Sequence, residues 1–82
     1  MKLNIDISKM TLIKLCKKII KQDKNVMFVN LYDNSHNQIR CFHILYIIEK
    51  ERKQDIKYKD LLDVKVKNYD IDNHYINIYV DV

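Results

Sequence analysis

The sequence predicts an α+β domain of two layers, one long amphipathic helix on a four- or five-stranded, mainly antiparallel sheet. Three observations carry that reading. Apolar and polar residues alternate near both ends of the chain, over 2–7 and 74–82, as half-buried strands require. Over 9–23 the apolar spacing changes to three and four residues, the period of a helix with one buried face. The 82 residues contain neither glycine nor proline, so turns fall to Asn and Asp.

Taken in order, Leu3, Ile5 and Ile7 define the inner side of a first strand, and Ser8 stands where a helix N-cap would. Leu12, Ile13, Cys16, Ile19 and Ile20 form the apolar stripe of the helix, and Lys14, Lys17, Lys18 and Lys21 form a ridge on its other side. A strand is expected over 26–33, a hairpin turn at 34–37, and a second strand from about 38 through 48. Residues 49–59 are dense in charge and read as a solvated turn or frayed extension. Residues 57–67 fit either a strand, through Leu62, Val64 and Val66, or a short helix, through Tyr58, Leu61, Leu62 and Lys65. The chain turns at 70–73 into a final strand. The order is β-α-β-β-(β or α)-β, ferredoxin-like if the fifth element is a helix.

One domain with a small core is what this length allows. The hydrophobic fraction of 48% and charged fraction of 32% argue for a folded chain. No apolar run has the length of a membrane span, and an acidic residue interrupts the region where a signal peptide would be apolar, so a cytoplasmic protein is expected. The net charge of +4 is concentrated in residues 1–25, with seven Lys against two Asp. Ile, Lys and Asn supply 34 of the 82 residues, the mark of A/T-rich coding.

Without glycine there is no loop shaped to cradle a phosphate or cofactor and no nucleophile elbow. Ser8 and Ser35 are the only serines and lie in no such motif. Cys16, Cys41, His43 and His74 would form a Cys2His2 set on the core side, but they come from three distant elements and lack a close cysteine pair. Asp63 and Lys65 form an acidic-x-Lys triplet of the kind alternating strands often produce. No catalytic residue, metal or cofactor is expected.

Strand alternation assigns one aliphatic face, which includes Met27, Val29, Leu31, Cys41, Leu45, Ile47, Ile76, Ile78, Val80 and Val82, to the core. The other face collects Phe28, Tyr32, Arg40, Phe42, Tyr46, Tyr75 and Tyr79 with Asn30 and Asn77, and a single helix cannot cover it. These seven residues are the expected partner-binding set. The expectation is a small non-enzymatic protein-binding module, encoded by a phage or mobile element and inhibiting a host defence system. A homodimer through the same face is a companion reading. The alternative is nucleic-acid binding through Lys14, Lys17, Lys18, Lys21 and Lys24.

Overall fold

The computed structural model describes residues 7–82, so most of the expected first strand lies outside the described residues. Helix α1 (Leu12–Gln22) buries Leu12, Ile13, Leu15, Cys16 and Ile19. Thr11, extended and without a side-chain cap bond, precedes it, so Ser8 is not the N-cap. Tertiary pairing fixes this end instead: the Leu12 amide donates to the Val64 carbonyl (2.9 Å) and the Val66 amide to the Met10 carbonyl (3.0 Å).

Strands β1 (Phe28–Tyr32), β2 (Gln38–His43), β3 (Val66–Asp72) and β4 (Tyr75–Val80) form one sheet of order β2-β1-β4-β3. The two hairpins, β1–β2 and β3–β4, are antiparallel, but they meet along a parallel β1–β4 seam, so the sheet is mixed. Asp33 organises the first hairpin turn, its carboxylate accepting from the Ser35 and Asn37 amides at 2.8 and 3.0 Å. His36 and Asn73 take left-handed conformations in the two hairpin turns.

The largest departure from expectation is helix α2 (Ile44–Arg52), where the second strand was expected to continue. His43 caps it, Nδ1 accepting from the Leu45 amide at 3.2 Å, and Ile44 and Ile47, three residues apart, enter the core. The ambiguous segment divides. Residues Ile56–Tyr58 form a 3₁₀ turn, Lys59–Leu62 a single-turn helix α3, and β3 begins at Val66. Among the described residues the domain is therefore α+β, with three helices in place of the expected one on a four-stranded mixed sheet; two of its three pairings are antiparallel, so the expected antiparallel character is met in part.

The core lies between the helices and one sheet face. Leu12, Leu15 and Ile19 from α1 and Ile44 and Ile47 from α2 belong to one cluster with Val29, Leu31, Ile76, Ile78 and Val80. Tyr69 is the largest fully buried side chain. Cys41, Met27, Leu45 and Val82, expected in the core, are exposed.

Helix α2 ends with the Gln54 amide on the Glu51 carbonyl (2.9 Å) and the Asp55 amide on the Lys50 carbonyl (3.2 Å), a glycine-type C-cap with Gln54 at φ 52°. A side chain at that left-handed position costs about 1 kcal/mol. Gln54→Gly is expected to raise the unfolding free energy by up to roughly that amount, measured by urea titration.

Candidate binding face

One residue decides which side chains share the sheet's open face. Tyr32 pairs with Gln38, but Leu31 pairs with Arg40, so β2 carries an extra residue at Ile39. The bulge reverses the alternation of everything beyond it. Uninterrupted alternation would set Phe42 beside Phe28; the bulge sets His43 there, and Cys41 opposite Asn30. The expected set of seven therefore divides. Phe28, Tyr32, Tyr75 and Tyr79 share the open face, while Arg40 and Phe42 turn to the helix side, where Tyr46 sits in the first turn of α2.

On the open face, three directly paired positions of β1 and β4 form the centre: Phe28 with Tyr75, Asn30 with Asn77, and Tyr32 with Tyr79. Phe28 and Tyr75 stack at 5.4 Å, with His43 edge-on to Phe28 at 5.4 Å. Four residues along, about 13 Å away at strand rise, Tyr32 and Tyr79 stack at 5.1 Å with His36 edge-on to Tyr79. Between the pairs a directional hydrogen-bond chain crosses all four strands. Gln38 Nε2 donates to Asn30 Oδ1 (3.3 Å), Asn30 Nδ2 to Asn77 Oδ1 (3.1 Å), and Asn77 Nδ2 to Asp70 Oδ1 (2.8 Å). Among the described residues no helix packs on this side. Partial burial, then the nearby Asp70 carboxylate and Tyr32, hold the Tyr79 phenol above its ordinary range.

The sequence reading had placed Asn30 and Asn77 here but missed His36, Gln38, His43 and Asp70. Period-two alternation in β3, with Tyr69 and Ile71 inward, would have found Asp70; the bulge concealed His43.

The displaced residues build a separate cluster beside β2. Tyr46 and Tyr58 share a hydroxyl–hydroxyl hydrogen bond of 2.6 Å. Lys50 Nζ lies 5.1 Å from each ring centre, and the Arg40 guanidinium 5.9 Å from that of Tyr58. The Tyr46 bond, then Lys50 and Arg40, lower the Tyr58 pKa, while the same bond raises that of Tyr46. As pH rises, Tyr58 loses its proton first and Tyr46 donates to the phenolate. Phenolate absorbance is expected to include one tyrosine titrating below 10.0, and Tyr46→Phe to move it upward.

The lysine ridge faces away from the open sheet. Lys14, Lys18, Lys21 and Lys24 are exposed, but Lys17 has an acidic partner, Glu51, at 2.7 Å. The four residues of the conceivable zinc set do not meet. Cys16 is buried under the sheet, where desolvation pushes its thiol up to about 12, whereas Cys41 is exposed on the other side. His74 Nδ1 donates to the Asn25 carbonyl at 3.0 Å. Among the described residues no three His, Cys, Asp or Glu side chains gather as a metal site, and no helix is long and apolar enough to cross a membrane.

Comparison with protein families, with characterised proteins and with solved structures finds no match to this chain.

Proposed function

We propose that the protein is a non-enzymatic binding module that holds a protein partner on the open face of its sheet. The observation that carries this reading is the pair of stacked aromatic couples, Phe28–Tyr75 and Tyr32–Tyr79, flanking a row of amides on a sheet face that no helix covers among the described residues. Rings of this kind supply contact area at small entropic cost, and the amides between them can recognise a polypeptide backbone. The face also has a sign. Asp70 and Asp72 lie along it on β3, favouring a neutral or basic polypeptide and repelling a phosphate backbone. Inhibition of a host defence system, by a chain carried on a phage or mobile element, is the form of activity that such surface occupation suits.

The test separates the two aromatic clusters. The partner is captured from the native host, identified by mass spectrometry, and its affinity measured for Tyr75→Ala/Tyr79→Ala and for Tyr46→Ala. The reading expects the first variant to lose binding and the second to keep it; the reverse result assigns binding to the Tyr46–Tyr58 cluster. Nucleic-acid binding that weakens steeply with salt and vanishes on reversing Lys14, Lys18 and Lys21 would assign function to α1.

A further inference from the structure

We infer that the outer edge of β2 pairs with β2 of a second copy of this chain, antiparallel about a two-fold axis at Cys41, joining the two sheets into one. β2 ends the sheet, with β1 on one side and no strand on the other among the described residues. The Ile44 amide donates to the Met27 carbonyl across β1–β2, so alternation directs the N–H and C=O of Cys41 and His43 to the outside. Exposed sheet edges are ordinarily guarded by Lys, Pro or inward charges. Gln38–His43 has one charge, Arg40, and its first four residues are exposed. The opposite edge strand, β3, carries Lys67, Asp70 and Asp72. A hollow of about 610 Å³ lies along the β2 edge, lined by Ile39, Arg40, Cys41, Phe42, His43 and Tyr46. Exposed Leu45, next along at the start of α2, extends its apolar margin.

The charges select a second copy and its register. Two identical antiparallel strands keep their faces matched only if residue numbers of opposed pairs sum to an even value. A sum of 80 sets Arg40 against Arg40. A sum of 84 drives Arg40 against Ile44, where α2 has begun. The sum of 82 sets Cys41 against Cys41, in a doubly hydrogen-bonded pair, and each Arg40 against the other copy's Phe42, a cation–π contact with no like charges opposed. The two-fold axis is then perpendicular to the sheet, so both open faces point the same way.

The experiment is sedimentation equilibrium of the full chain, with a short thiol-to-thiol cross-linker as a second readout. A concentration-dependent dimer of the 10.0 kDa chain is expected, cross-linked through Cys41, because buried Cys16 does not react in the native state. Cys41→Lys, which opposes two ammonium groups on the axis, is expected to weaken the dimer by about tenfold or more. Tyr75→Ala/Tyr79→Ala is expected to leave it intact, which separates this edge from the open face. A monomer throughout the concentration range overturns the proposal. So does a dimer that gives no Cys41 cross-link, or one that persists unchanged in folded Cys41→Lys. Should that variant fail to fold, the wild-type cross-link decides.

Discussion

Replacing Ile78 with alanine is expected to remove a large share of the domain's stability and to lower its urea midpoint sharply. Ile78 is fully buried on β4, paired to Leu31 of β1 and to Tyr69 of β3. It therefore packs at the seam where the two hairpins meet, and the space it leaves cannot collapse without moving both. Removing such a side chain costs about 2–5 kcal/mol through lost transfer energy and the cavity left behind. An 82-residue chain has roughly 4–12 kcal/mol to lose. Ile56 is the control: it is 85% exposed, so Ile56→Ala should change stability by no more than about 0.5 kcal/mol. Urea denaturation followed by circular dichroism reads both; equal midpoints would mean that the seam is not where stability is concentrated.

The second large effect is expected at the open face. Tyr75 and Tyr79 belong to different stacked couples, and buried interface aromatics are each worth about 2 kcal/mol or more on truncation. At roughly 13 Å apart the two sites should act nearly independently, giving a combined loss of about a thousandfold in affinity. The fold should survive, because neither ring belongs to the buried core. Calorimetric titration against the captured partner measures the loss, with Tyr46→Ala in parallel. An affinity unchanged in the double variant removes the open face from the binding mechanism.

Much of the fold is legible in the sequence where one period dominates. The 3.6 period of α1 and the strict alternation of β4 leave no competing reading, and both elements form close to where they are expected. The run from Cys41 to Ile48 is different because almost every residue is apolar, so neither period stands out. The available signal was its flank: Ile44, Ile47 and Ile48 at helical spacing, followed by Glu49 and Lys53 four residues apart, which pair at 3.3 Å. The parallel β1–β4 seam left no local trace, since partner choice between hairpins rests on long-range packing. Of the candidate site, the four residues on β1 and β4 could be read because neither strand is bulged where they pair with each other. Arg40 and Phe42 could not, because the bulge at Ile39 has no glycine to announce it.

That bulge couples the two surfaces of the protein by parity. Substituting a residue of β2 changes one surface at a time. Shifting the pairing of β2 against β1 by one residue would exchange their contents: Cys41 and His43 would turn toward the helices, and Arg40 and Phe42 would join the stacked rings. Evolution can therefore tune each surface by point mutation, whereas a one-residue slip of β2 against β1 would rewrite both together.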